Sequence, residues 1–114
     1  MLRFAFSVYG QFEVVGCAAN GHQAVSIAVD KRPDIAVLDL MMPFMDGFQA
    51  IPLIRSGTPE TRIVVLSAVD DSHSRREATT AGADLYLVKG VVPREMARLL
   101  SGLVQAPPPH LVAN

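Results

Sequence analysis

Residues 33–47, PDIAVLDLMMPFMDG, constrain this chain more than any other stretch. Ile35, Ala36, Val37 and Leu38 form an unbroken apolar run, the pattern of a strand buried on both faces of a parallel sheet. Asp39 follows, with apolar neighbours on both sides. Burying a lone carboxylate is costly, so an acid here marks a strand end that opens onto water, a cation or a ligand. In an open α/β sheet that position is the crevice outside the carboxyl ends of the strands, where ligands bind. Pro43 and Gly47 break the chain, and Asp46 offers an oxygen to cap the next helix. On its own the stretch is equally compatible with a strand that ends in a turn containing an incidental acid.

The remaining segments alternate in type. Residues 12–18 (FEVVGCA) read as a short β-branched strand, and Asn20-Gly21 as a turn. A helix follows with Ala24, Val25, Ile27 and Ala28 inward, ended by Pro33. A second helix covers residues 48–56, with Phe48, Ile51 and Ile54 at helical spacing and Pro52 predicting a kink or a late start. Residues 62–69 (RIVVLSAV) form the next buried strand, followed by a polar helix that stops at Ala81-Gly82. A short strand over residues 85–88 finishes at Lys89. Pro93 opens a last helix with Met96, Leu99, Leu100 and Leu103 inward. Residues 106–114 read as a stiff Pro-rich tail with nothing folded after it, which leaves one domain over residues 1–105. Residues 2–9 fit either an alternating strand or one side of a helix. Strands alternating with helices give an α/β fold with a parallel sheet, helices on both faces and right-handed crossovers.

Composition removes several functions. Ten basic against eleven acidic residues leave a net charge of -1, no footprint for nucleic acid or an anionic membrane. The single cysteine, Cys17, excludes an internal disulfide and fits a reducing compartment, and the three histidines show no zinc-ligand spacing. Gln11 and Glu13 interrupt the apolar core that a signal peptide needs before Val14-Val15-Gly16-Cys17, and no apolar run reaches the ~20 residues of a membrane span. A cytoplasmic, soluble protein is the expectation.

Four motifs in order then carry a resemblance: DLMMPFMDG, Ser67-Ala68 in IVVLSAV, and Tyr86 and Lys89 in DLYLVKG. Together they resemble the receiver domain of bacterial two-component response regulators, over about residues 12–103, which implies a flavodoxin-like fold. The resemblance implies that Asp39 accepts a phosphoryl group from a sensor histidine kinase or phosphotransfer protein. It implies that Ser67 hydrogen-bonds that group, that Ala68 leaves room for it and that Lys89 pairs with its oxygens. Tyr86 matches the switch aromatic, and Met41 the backbone carbonyl that with Asp39 helps bind Mg2+. A phosphoryl group brings about -1.5 to -2 charge and three strong acceptors, so a hydroxyl and an ammonium at neighbouring strand ends suit it.

The chain also departs from that family. Family members begin with an apolar strand ending in two acids that complete the magnesium site. Before residue 12 this chain has neither, so the fold is expected to be amino-terminally truncated and magnesium to bind poorly. The absent strand belongs in mid-sheet, between residues 12–18 and the strand that begins at Ile35. An empty slot there would cost several buried side chains at roughly 1.5–3 kcal/mol each and two rows of hydrogen-bonding groups. Three ways of filling it stand open: residues 2–8 as a substitute strand, a second copy by strand exchange or edge pairing, or a strand in a longer native chain. Alignment with the family favours helix for residues 2–9.

Three functions follow for comparison. The first is a phosphoacceptor receiver module, not an enzyme, that switches protein contacts through Asp39. The second is a receiver-derived interaction module independent of phosphorylation, motivated by the absent acids. The third, an aspartate-nucleophile phosphohydrolase, needs a second acid two residues after the nucleophile, where this chain has Met41.

Overall fold

The computed structural model describes residues 13–17, 20–39, 47–68, 70–103 and 110–113. Among them run β1 (Glu13–Cys17), α1 (Gly21–Lys31), β2 (Ile35–Asp39), α2 (Gly47–Gly57), β3 (Arg62–Ser67), α3 (Ser72–Ala81), β4 (Leu85–Val88), α4 (Pro93–Ser101) and β5 (His110–Ala113). The readings of residues 2–9, Met41, Pro43 and Asp46 lie outside the described residues.

Local chemistry sets most boundaries. Asn20 caps α1 by accepting a 2.9 Å hydrogen bond from the Gln23 backbone N–H. At the other end Arg32 adopts the left-handed conformation, φ 48°, and its N–H reaches the Ala28 carbonyl at 2.9 Å before Pro33 stops the helix. Asp71 caps α3 through the Ser74 N–H at 2.7 Å, and Pro93 opens α4 as read from the sequence. Pro52 does not delay the helix: α2 runs from Gly47 through it to Gly57. Its side chain is exposed, the side on which a carbonyl without an intrahelical partner is hydrated.

All strand pairings are parallel, and the order across the sheet is β1-β5-β2-β3-β4. Alternation along each strand sends side chains to two cores. Ala24 and Ala28 of α1, Ala50, Ile51 and Ile54 of α2 and Ala78 of α3 pack on Leu38, Ile63, Val65 and Tyr86. On the other face Met96, Ala97 and Leu100 of α4 pack on Ile35, Val37, Val64, Leu66 and Leu87. Three helices therefore cover one face and α4 the other.

The tail corrects the sequence reading most. Nothing folded was expected after the prolines, yet His110–Ala113 forms β5, paired with β1 on one side and β2 on the other. Glu13 is in register with His110 and Cys17 with Ala113, and Ile35, Ala36 and Val37 with Leu111, Val112 and Ala113. β5 thus takes the slot for which residues 2–8, a second copy or a longer chain were considered. The doubly wound order 2-1-3-4-5 is kept, with a carboxyl-terminal segment in the place of strand 1. The connection also obeys the handedness rule. From β2 to β4 the chain advances across the sheet with its helices on one face. From β4 to β5 it goes back with α4 on the opposite face, and reversing both direction and face preserves the hand of the crossover.

The amino-terminal edge of the sheet is tied by polar contacts. The Arg55 guanidinium donates to the carbonyls of Pro59, Thr61 and Gly82 at 2.8, 2.9 and 2.7 Å and pairs with Asp84 Oδ2 at 2.6 Å. Asp84 Oδ2 also accepts from the Ile63 N–H at 2.7 Å. Buried Thr61 donates to the Pro33 carbonyl at 2.7 Å and shares a 2.8 Å hydrogen bond with buried Thr58. Loops at this edge are held rigidly, while the opposite edge holds the site.

Candidate functional site

The site lies at the carboxyl edge of β2, β3 and β4. β2 pairs with β3 up to Asp39 opposite Leu66, and β3 pairs with β4 up to Ser67 opposite Val88. Asp39, Ser67 and Lys89 therefore end three adjoining strands, or follow directly on their ends. The Lys89 N–H donates to the Ser67 carbonyl at 2.7 Å, which fixes the tip of β4 against β3. Gly90 comes next at φ 105°, a conformation that favours glycine and turns the chain away just past the lysine.

Lys89 reaches across the tip of β3. β2 and β4 stand two strand spacings apart, about 10 Å. A four-carbon stem closes that gap, and Lys89 Nζ pairs with Asp39 Oδ2 at 2.7 Å. Both side chains are partly exposed, Asp39 26% and Lys89 39%. The carboxylate is thus paired and open to solvent, as the cost of burying a lone acid demands. By alternation Asp39 and Lys89 belong to the α4 side of the sheet, and Ser67 and Tyr86 to the side covered by α1, α2 and α3. Ser67 is buried at the tip between them and Ala68 beside it is exposed.

Tyr86 is also buried, and its surroundings hold residues the sequence reading passed over. Arg75, one turn into α3, lies over the Tyr86 ring with 4.9 Å from Cζ to the centroid. The same guanidinium binds Asp70 Oδ1 through Nε at 2.9 Å and Nη2 at 2.8 Å. Asp71 is the α3 cap, and Asp70 anchors the cation that covers the aromatic. Two acids just before a helix with an arginine in its first turns were visible in the sequence. The ring they act on belongs to another element.

Receiver domains generally bind magnesium in the active site, so the donor set here needs testing against that ion. Magnesium asks for several hard oxygen ligands in near-octahedral geometry. Of the described acids at this edge, Asp39 is bound by the Lys89 ammonium, Asp70 by the Arg75 guanidinium, and Asp71 caps α3. β5 contributes His-Leu-Val-Ala and no acid, and among the described residues no group of three or more His, Cys, Asp or Glu could hold a metal. The described residues do not fit magnesium.

With fold and site in view, the comparisons agree. The response regulator receiver domain model matches residues 1–101, and this chain belongs to that family. It is 39% identical over 97 residues to the uncharacterized transcriptional regulatory protein YhcZ of Bacillus subtilis, covering 85% of this chain and 45% of that protein. It is 31% identical over 101 residues to the response regulator protein VraR of Staphylococcus aureus, covering 85% and 48%. The chain thus spans about half the length of these relatives. Among solved structures, the signal receiver domain of the putative response regulator NarL from Mycobacterium tuberculosis superposes with a TM-score of 0.84 at 32% identity, covering 92% of this chain and 86% of that one. The receiver domain of a sensor histidine kinase from Pseudomonas aeruginosa, described with a magnesium ion in its active-site cleft, gives 0.81 at 27% identity, covering 92% and 86%. β5 lies outside the matched family region. No helix among the described residues is long and apolar enough to cross a membrane.

Proposed function

We propose that Asp39 is the phosphoacceptor of a two-component relay, with Lys89 and Ser67 holding the transferred group. The observation that carries this reading is the 2.7 Å pair between Lys89 Nζ and Asp39 Oδ2 at the open end of the sheet. The donor is a phosphorylated histidine of a sensor kinase or phosphotransfer protein. An Asp39 oxygen attacks phosphorus in line, the O–P bond forms, the P–N bond breaks, and the departing imidazole takes a proton from solvent. Such transfers rest on positioning and on electrostatic stabilisation of developing charge. The Lys89 ammonium pairs with the carboxylate at rest and follows the charge onto the phosphoryl oxygens. The Ser67 hydroxyl, one strand away, turns to donate to the same group. Charge-assisted bonds of this kind contribute about 1.5–3 kcal/mol each, on the scale of a conformational switch. Ala68 leaves room beside them, and Tyr86, on the Ser67 side of the sheet, responds to the hydroxyl's movement. The output is a change of protein contacts.

A small-molecule phosphodonor tests the proposal. Incubation with acetyl phosphate, with and without magnesium, yields an acid-labile adduct that Asp39→Asn abolishes. No adduct under either condition removes Asp39 as acceptor. The incomplete metal set favours a second reading, an interaction module that works without phosphorylation. That reading expects partner binding or self-association to be unchanged by Asp39→Asn and by magnesium, and a strong dependence on either rejects it.

A further inference from the structure

We infer that the slot between β1 and β2 is a strand-acceptor site, and that it exchanges its own His110–Ala113 for the same segment of a second copy. The slot is two-sided: an open chain leaves unpaired backbone N–H and C=O groups on β1 and on β2, an arrangement that recruits another strand. Pairing by strand addition draws its affinity from the main chain, so an identical segment from another molecule fits in the same register.

The occupant is a short segment. β5 is four residues long and matches β2 at three positions, whereas β2 and β3 match at five. Its pairing with β1 carries a register shift between Val14 and Gly16. The chain between α4 and β5 includes Pro107, Pro108 and Pro109, residues that favour extended backbone over a tight return. Six residues, 104–109, span at most about 20 Å, enough to pass from the helix layer to the sheet about 10 Å away with some lateral travel. Three residues span at most about 10 Å, which leaves no length for lateral travel. The length of this connection therefore decides between closure within one chain and closure between two. Two exchanged segments complete two sheets at once, and the partner that satisfies this chemistry is another copy of this chain.

The single cysteine makes the exchange readable. Cys17 is in register with Ala113 on adjacent parallel strands, about 4.8 Å apart, inside the span a disulfide bridges. Ala113→Cys is refolded over a range of protein concentrations, oxidised, and resolved on non-reducing gels, with peptide mapping to identify a 17–113 bond. The expected result is a 17–113 bond within monomers in dilute samples and a reciprocal dimer with two 17–113 bonds that increases with concentration. Deleting residues 107–109 in the Ala113→Cys background should give the reciprocal dimer at every concentration. Monomer-only bonds at all concentrations and in the deletion variant overturn the exchange. No 17–113 bond in any sample overturns the acceptor slot itself, and random dimers linked 17–17 or 113–113 do the same. Neither failure touches the phosphoacceptor reading, which the phosphodonor experiment addresses separately.

Discussion

Lys89 and Asp39 are both partly exposed, so their ion pair does little for folding, and on the proposed function its part is in the chemistry of the site. Exposed pairs contribute about 0–1 kcal/mol to stability. Lys89→Ala should therefore shift chemical unfolding by less than about 1 kcal/mol. On the proposed function the same substitution removes a charge-assisted contact to the phosphoryl group, and adduct yield from acetyl phosphate should fall roughly tenfold to a hundredfold. A large loss of stability with normal phosphorylation would reverse those roles. The shared edge was legible for Asp39 and Lys89, each of which ends an apolar run, since strand ends of a parallel sheet lie together; Ser67, set inside RIVVLSAV, stood out only through the family resemblance. Arg75 was not legible. Its contact with Tyr86 joins the start of α3 to β4, and nothing local in either segment encodes that meeting. It has a direct readout, since the chain has no tryptophan and two tyrosines, Tyr9 and Tyr86. In a Tyr9→Phe background, Arg75→Ala should make Tyr86 fluorescence more accessible to acrylamide, and unchanged quenching would show that the guanidinium does not shield the ring.

Elements divide the labour between the two edges of the sheet. At the amino-terminal edge Arg55 on α2 ties the Pro59, Thr61 and Gly82 carbonyls and the Asp84 carboxylate into one cluster. Arg55→Ala removes the one donor those acceptors share, and the expected cost is about 2 kcal/mol in urea unfolding, with phosphorylation of the remaining folded protein intact. A loss below about half a kcal/mol would demote the cluster to a surface feature. The α3 cap responds to pH. The Ser74 backbone N–H bonded to Asp71 holds its carboxyl below the usual carboxylate range. A depressed folded pKa means that the stabilisation is present above the unfolded value and lost as pH falls through the folded one. Fraying of α3 should therefore develop as pH falls below the ordinary aspartate range, and Asp71→Asn should remove that acid dependence when followed by backbone amide shifts. The helices themselves were readable from apolar spacing, caps and prolines. The late start allowed for at Pro52 does not occur, because an interior proline on an exposed face is tolerated when the buried face, Ala50, Ile51 and Ile54, anchors the helix.

At the scale of the molecule, the fold depends on a sheet with an interior place, between β1 and β2, that the carboxyl-terminal segment β5 fills. The α/β class and the parallel sheet followed from alternating segments. The occupant of the slot did not, because HLVA after three prolines is too short to show a period, and its strand state comes from edges far away in sequence. Ending the chain after Leu103 should accordingly remove cooperative unfolding or drive association through the exposed edges of β1 and β2. Amide hydrogen exchange resolved by residue probes the completed sheet most directly. The account predicts that the amides of Leu111, Val112 and Ala113 exchange on the slow scale of Ala36, Val37 and Leu38, all released together at global unfolding. Rapid exchange at 111–113 beside a protected β2 would contradict it.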